Sequence, residues 1–274
     1  MSNSEGQADM TFTDHLEVLR WHIIRSVIAV LAFTIIAFLN NGFVIDTLLF
    51  GPTNPEFITY KWLCDLSALV GSEALCITDL PIPKDLFVNL KMTGQFTMHI
   101  TISIVAGVIC AFPYIFWEFW RFLKPALYAG EKTATRGTVF IVSCLFFTGV
   151  LFGYYIICPL TYNFFVHYEA TANMKNQFSF SSYFGVMGNL VLVCGLMFQL
   201  PVAVYFMAKI GIVTAKGMIE KRKIAFVVIL FIAAIFTPAD VISQLLVAFP
   251  LFLLYQISIM VARIVGRKRA KSLR

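Results

Sequence analysis

The sequence predicts an all-α integral membrane protein, and three observations lead to this fold class. Hydrophobic residues make up 59% of the chain and charged residues only 13%, about half of the charged share of a soluble domain. Several apolar runs reach the roughly 18 residues that a membrane-spanning helix needs. The cations cluster at the ends of these runs, where topology determinants lie. Together these features indicate a polytopic helical protein.

We expect six spans, at residues 22–43, 95–118, 138–160, 183–208, 224–238 and 243–263. The fifth and sixth helices are predicted to be short, because only 16 residues separate Lys223 from Asp240 and the chain then turns directly into the sixth helix. Sixteen residues reach about 24 Å, less than a hydrocarbon core of about 30 Å. Prolines favour kinks and hence a curved bundle; they are Pro113, Pro159, Pro201 and Pro250.

The distribution of basic residues predicts the orientation. All but four of the 21 Lys and Arg residues fall on the side that holds both termini, the exceptions being Lys61, Lys84, Lys91 and Lys175. The positive-inside rule places that side in the cytoplasm. We expect one domain over 1–274, with a cytoplasmic amphipathic N-terminus at 1–21, a long outer loop at 44–94 and a basic cytoplasmic tail at 265–274. The lipid bilayer is therefore an expected partner; nucleic acid is not, since no basic helix face or phosphate-binding loop is present.

The outer loop contains two cysteines, Cys64 and Cys76. In an oxidising compartment they can form a disulfide that closes a short loop, and the alternative is a pair of free thiols. The other four cysteines lie in apolar spans, where a thiol is an ordinary small hydrophobe. Two small residues, Gly149 and Gly153, are spaced for close helix approach in the third span.

The search for catalytic chemistry predicts that the chain is not an enzyme. Its four histidines are scattered, no cysteine–histidine spacing matches a metal site, and no nucleophile or phosphate-loop motif occurs. His99 is interpreted as a hydrogen-bonded structural histidine. Ionisable groups within spans are few beyond Glu118, near the end of the second span. Because ion-coupled carriers usually need such a group, this scarcity weakens a transporter interpretation.

The segment before the first span reads as an amphipathic helix. Leu16, Leu19 and Ile23 share one face, and Trp21 and Arg20 suit the headgroup level. This pattern alone is explained by an interfacial anchor. Glu131, in the loop after the second span, has an equally simple explanation as a solvated charge paired with Lys132.

Four segments, in order along the chain, resemble the TatC family, which forms the receptor subunit of the twin-arginine protein translocase. They are "HLEVLR" before the first span, "FLKPALYAGE" after the second, "FQLP" in the fourth and "TPADVISQ" between the fifth and sixth. The resemblance covers residues from about 11 to 264 and fits six helices with both ends in the cytoplasm.

The resemblance implies that the chain binds twin-arginine signal peptides and exports folded proteins across a bacterial inner membrane, driven by the proton-motive force. The family's loop glutamate corresponds to Glu131, and a carboxylate can take a guanidinium in a bidentate pair. The family's second glutamate position holds Val18 here, and Glu17 precedes it. The implied signal-peptide site comprises Glu131, Glu17, Arg20, His15, Leu16, Leu19, Phe122, Pro125 and Tyr128. No cofactor is implied.

The resemblance also implies TatA/TatB-like single-span subunits as partners, with self-association left open. Many members carry a glutamate where this chain has Gln199, which keeps hydrogen-bonding capacity without a charge. Gln199, Phe198 and Pro201 are the implied partner-binding residues, and loop roles fall on Pro52, Pro238, Asp240 and Gln244. Two other classes of protein remain open: a small-solute secondary transporter, and a scaffold that binds partners but no cargo.

Overall fold

The structure is a computed structural model that describes residues 12–70, 76, 86–123, 135–168, 171, 176–236 and 241–272. Its first elements are helix α1 (Phe12–Leu39), a π-helix (Gly42–Leu49), a 3-10 turn (Gly51–Thr53) and α2 (Ile58–Val70). Next come β1 (Phe87–Val88), α3 (Gly94–Leu123), α4 (Thr135–Phe152), a second π-helical segment (Gly153–Ile157) and α5 (Cys158–His167). The last are β2 (Phe178–Ser179), α6 (Phe180–Met197), α7 (Leu200–Ile210), α8 (Ala215–Glu220), α9 (Arg222–Phe236) and α10 (Val241–Ser272).

Five helical stretches within these ranges are long and apolar enough to cross a membrane. They are Leu16–Leu39, Gly94–Phe122, Gly137–His167, Phe180–Ile210 and Val247–Arg267. They coincide with the first four predicted spans and the sixth, so the helical, multi-pass fold class is confirmed. The count of six spans and the cytoplasmic placement of both termini stay predictions.

The two final helices differ from each other in length. The predicted fifth span falls on α9, which has 15 residues and reaches about 22 Å. The prediction of a short sixth helix is wrong, because α10 has 32 residues and its apolar stretch has 21. Arg, Lys and Ala are strong helix formers, so the helix continues from the apolar run into the basic tail instead of ending where hydrophobicity ends.

The four prolines affect the helices in two ways. Pro113 and Pro250 lie inside continuous helices. Pro159 follows the π-helical segment that ends at Ile157, and Pro201 follows a break between α6 and α7 at Phe198 and Gln199. A proline lacks the N–H that a helix interior requires, which explains why the helical pattern changes beside these two. The predicted curvature of the bundle stays a prediction.

Helix α4 and the π-helical segment that follows it approach α6 closely at two glycines, as the spacing of Gly149 and Gly153 predicts. A Cβ atom on Gly149 would lie 2.6 Å from the carbonyl oxygen of Cys194. A Cβ atom on Gly153 would lie 2.9 Å from the Cβ atom of Cys194. Both distances are shorter than carbon contacts allow, so only glycine fits here.

The segment between α1 and α3 packs as an aromatic cap on the end of the bundle remote from the N-terminus. The Phe50 ring contacts Phe87, Phe180 and Phe184 at centroid distances of 5.8, 5.8 and 5.4 Å. Phe87 also pairs with Phe178 in the short parallel sheet. This cap connects the predicted outer loop to the connection between α5 and α6.

Pro52 lies buried in this cap. The hydroxyl group of Tyr60, which is 1% exposed, lies 2.8 Å from the Pro52 carbonyl oxygen and 3.1 Å from that of Pro159. Burial raises the pKa of Tyr60 above its usual range, so the phenol stays protonated and donates to these oxygens. The residue for which the resemblance implied a loop role is thus held by contacts within the cap.

Because of the close helix contact at Gly149, we expect an added methyl group to destabilise the protein at Gly149 but not at Gly137. Gly149→Ala should lower stability by about 1–3 kcal/mol through overpacking. Gly137→Ala, in the same helix, is the matched control, because a Cβ atom there meets nothing within 4 Å and alanine favours helix. Thermal unfolding in detergent, followed by intrinsic fluorescence, compares the two variants. Equal melting temperatures would contradict the close packing.

The structure joins Cys64 and Cys76, twelve positions apart, as a disulfide. We expect both residues to resist alkylation in denatured, unreduced protein and to react after reduction, with mass spectrometry as the readout. Cys110 and Cys144, which are free and exposed, serve as internal controls and should react in both samples. Alkylation of Cys64 and Cys76 before reduction would show that the pair is not oxidised in the protein.

Candidate functional site on the N-terminal face

The predicted amphipathic segment and the first span form one continuous helix, α1. Leu16, Glu17 and Arg20 are exposed, and Leu19 is half-buried. His15 belongs to α1, but its side chain is outside the described part of the structure. Val18, at the position of the family's second glutamate, is 38% exposed. Glu17 and Val18 are therefore both accessible, and exposure does not separate their roles.

The loop after α3 is described only at its edges. Helix α3 ends at Leu123 and α4 begins at Thr135, so Pro125, Tyr128 and Glu131 lie outside the described residues. Phe122 lies in the last turn of α3 and is half-buried. Its ring centroid lies 6.2 Å from that of His22 on α1. The loop thus starts beside the N-terminal part of α1.

Glu118 connects the two helices at this face. It is 1% exposed and is the only charged side chain among the described residues that is buried. Its Oε2 atom contacts the Nδ1 atom of His22 and lies 3.9 Å from Nη1 of Arg25, both on α1. Its Oε1 atom accepts a hydrogen bond of 3.1 Å from the Tyr114 hydroxyl and lies 3.5 Å from Nη1 of Arg121, both on α3.

This arrangement satisfies a carboxylate that would otherwise be costly inside a membrane protein. A buried charge left without partners costs several kcal/mol, whereas here each oxygen has a hydrogen-bond partner and a nearby cation. Arg121 also stacks over the Trp117 ring, with its guanidinium carbon 4.8 Å from the ring centroid. Arg25 and Arg121 are 47% and 46% exposed, so their outer sides lie at the surface of the bundle.

Sequence reasoning noticed Glu118 as an ionisable residue but assigned it no partner. The available signal was positional: His22 and Arg25 begin the first span and Glu118 ends the second. In an antiparallel helix pair these ends meet. The predicted structural role of His99 is confirmed. Its Nε2 atom lies 3.1 Å from the Phe38 carbonyl oxygen, and the rings of the two residues stack at a centroid distance of 4.0 Å.

Gln199 lies at the break between α6 and α7. Its Nε2 atom donates to the Val142 carbonyl oxygen at 3.1 Å, while its buried Oε1 atom has no hydrogen-bond partner within the part of the chain that the structure describes. Pro201 is buried and, with Val142, lines a groove of about 300 Å³ between α4, α7 and α10. Phe198 packs on Phe152 at a centroid distance of 5.5 Å. The three predicted partner-binding residues thus cluster, with one acceptor unsatisfied.

Gln244 contributes to the contact between the last two helices. Its Nε2 atom donates to the Leu230 carbonyl oxygen at 2.9 Å, which ties the short helix α9 to α10. Pro238 and Asp240, in the turn between these helices, lie outside the described residues. Of the three residues with an implied loop role in the segment "TPADVISQ", the structure describes a contact for Gln244.

These features define a multi-pass helical membrane protein whose N-terminal face is organised around a charged contact between its first and third helices. The family model described as "Sec-independent protein translocase protein (TatC)" matches residues 14–250. The chain belongs to the TatC family and is a component of twin-arginine protein translocation.

Relatives and solved structures agree with this assignment. A TatC of Blattabacterium sp. subsp. Periplaneta americana is 35% identical over 261 residues, covering 95% of this chain and 98% of the relative. A TatC of Helicobacter pylori strain J99 is 39% identical over 186 residues, covering 67% and 73%. Two crystal structures titled "Twin Arginine Translocase Receptor- TatC", one of them in DDM, are 31% identical and 99% covered, with TM-scores of 0.69 and 0.73. They cover 92% and 91% of this chain.

Proposed function

We propose that this chain is the receptor subunit of a twin-arginine translocase in a bacterial inner membrane. With both termini in the cytoplasm, its N-terminal face binds twin-arginine signal peptides of folded cargo proteins. TatA/TatB-like single-span subunits assemble with it, and the proton-motive force drives export.

The contact between the start of α1 and the end of α3 is the observation that carries this proposal. It brings the His22 ring of α1 to 6.2 Å from the ring of Phe122, close to where the loop with Glu131 begins. Glu17 and Arg20 are exposed on the turns of α1 that precede His22. Two segments far apart in sequence therefore meet on one face. A short basic peptide that binds both segments would span this junction.

The recognition chemistry rests on carboxylates. A guanidinium and a carboxylate form paired, charge-assisted hydrogen bonds, and arginine makes this fork where lysine cannot. Glu131 is the proposed primary acceptor. Glu17 is exposed one position before Val18, and adjacent positions differ by about 100° around a helix, so its contribution is proposed to be secondary.

Photocrosslinking from position 131 tests the site. A photoreactive amino acid at Glu131 should crosslink to a twin-arginine signal peptide and much less to its twin-lysine counterpart. In a parallel binding assay, Glu131→Gln should lower the affinity for the twin-arginine peptide about tenfold or more, which is the scale of a hydrogen bond to a charged group.

Glu220 supplies the matched control, because it is exposed and ends helix α8, in a connection between spans that is predicted to be cytoplasmic. A crosslinker at Glu220 and the substitution Glu220→Gln should have no such effects. Equal crosslinking of both peptides from position 131, or none, would contradict the receptor proposal and favour the scaffold alternative.

The second part of the proposal concerns the single-span partner. The Oε1 atom of Gln199 has no hydrogen-bond partner among the described residues. Pro201, two positions further on, and Val142, whose carbonyl oxygen accepts from the Gln199 amide, line an apolar groove. A partner helix that fills this groove and donates a hydrogen bond to Oε1 would satisfy the amide. Hydrogen bonds between helices in membranes contribute about 0.6–2 kcal/mol, which is enough to select a site but not to hold a complex alone.

Gln199→Leu should therefore reduce co-purification of a TatA/TatB-like partner about threefold to tenfold while leaving signal-peptide binding intact. Gln256→Leu, which changes another half-buried glutamine in a span, is the control and should leave co-purification unchanged. Loss of the partner in both variants, or in neither, would argue against Gln199 as the recruiting group.

One observation bears on the transporter alternative. A cavity of about 260 Å³ beside α3, α4 and α6 is lined, among the described residues, by apolar and aromatic side chains and by two free cysteines, with no charged side chain. Such a lining offers a charged solute no counter-charge. The geometry of the described residues therefore favours the receptor function.

A further inference from the structure

Helix α1 is attached to the rest of the bundle along a narrow seam. Among its described side chains only Ala37 is buried, yet α1 and α3 run together over most of their lengths. Whatever fixes α1 on α3 therefore fixes the exposed residues of α1 as well.

Three contacts along the seam hold the pair. At the end remote from the N-terminus, His99 stacks on Phe38. In the middle, a Cβ atom on Gly107 would lie 2.8 Å from the backbone nitrogen of Thr34, so the two backbones touch. At the N-terminal face, Glu118 contacts His22 and Arg25.

The third contact differs from the other two in kind. The first two depend on ring stacking and backbone proximity, whereas the third depends on a buried charge. It is also the contact next to the proposed signal-peptide site, because Glu17 lies within two turns of His22 and Phe122 one turn beyond Glu118. Losing this contact would free the N-terminal turns of α1 while the other two contacts keep the helices paired.

We propose that Glu118 is a positioning residue for signal-peptide binding. By holding His22 and Arg25 of α1 with one oxygen and Tyr114 and Arg121 of α3 with the other, it sets the distance between the N-terminal turns of α1 and the end of α3. This inference rests on the proposed receptor function and assigns it a residue outside the peptide-contacting set.

The geometry indicates that Glu118 positions the two helices and does not itself contact the signal peptide. Glu118 is 1% exposed, and both of its oxygens already have partners on the two helices. An incoming guanidinium would have to displace one of these partners to reach it. The carboxylate therefore acts through the two helices that it connects.

The test compares Glu118→Leu with the exchange of the two partners, His22→Glu combined with Glu118→His. Leucine is apolar and forms helices readily, so the chain should still fold with leucine at this buried position. We expect Glu118→Leu to weaken twin-arginine peptide binding about tenfold, the scale of a lost hydrogen bond to a charged group. The exchange restores the pair in reverse and should recover most of the affinity. Glu220→Gln, on an exposed residue, is the control.

A distance measurement separates positioning from other roles. Spin labels at Ile23 and Phe119, which are 53% and 52% exposed, report the spacing of the two helices in liposomes, in a chain whose four free cysteines are replaced by alanine. Glu118→Leu should broaden the distance distribution, and the exchange should narrow it again.

Each outcome decides the matter. Weaker binding with an unchanged distance distribution would mean that Glu118 acts by its charge alone, and it would overturn the inference. Unchanged binding in Glu118→Leu, with normal discrimination by the unsubstituted chain, would also overturn it and leave the receptor proposal intact. If the unsubstituted chain does not distinguish twin-arginine from twin-lysine peptides, the receptor proposal itself fails and the inference fails with it.

Discussion

Removing a carboxylate from water costs several kcal/mol unless cations and hydrogen-bond donors surround it, and at Glu118 this cost organises a whole face of the protein. The donors come from two helices, so the charge is tolerated only while α1 and α3 stay together. That condition places the first residues of α1 beside the end of α3. The proposed peptide site depends on this adjacency, because its two halves lie more than a hundred positions apart.

The side chain of Gln199 differs from that of Glu118 because it is polar but uncharged. Gln199 replaces a charge with an amide, and half of the amide is satisfied by the backbone of α4. Its Oε1 atom has no hydrogen-bond partner among the described residues. A neutral group with one free acceptor suits a reversible contact within the bilayer, whereas a charge there would need a permanent partner. The structure thus has a carboxylate with partners on both oxygens at one face and, in a span, an amide whose Oε1 atom has no partner among the described residues.

The fold could largely be predicted from the sequence because spans are set by local hydrophobicity, which is visible in each segment by itself. The length of α10 could not, since Arg267 and its neighbours end the apolar run without ending the helix. The Glu118–His22 contact escaped prediction for a different reason. It depends on the relative register of two helices, which is a tertiary property, although the positions of both residues at span ends were visible. The amide contact of Gln199 with Val142 is tertiary in the same sense.

The family resemblance, by contrast, pointed to residues whose individual roles the described structure does not reach. Glu131 lies in the loop between α3 and α4, outside the described residues, and Glu17 is exposed on α1. Physical reasoning ranks Glu131 first only because the family carries a glutamate there.

A double-mutant cycle between the receptor and the signal peptide measures that ranking directly. The cycle combines Glu131→Gln with replacement of one peptide arginine by glutamine, and a second cycle uses Glu17→Gln. Close charge pairs show coupling energies of about 1.5 kcal/mol or more, whereas groups without contact are additive within about 0.5 kcal/mol. The account predicts strong coupling for Glu131 and weak coupling for Glu17. Additivity in both cycles would contradict carboxylate recognition of the arginine pair by this face.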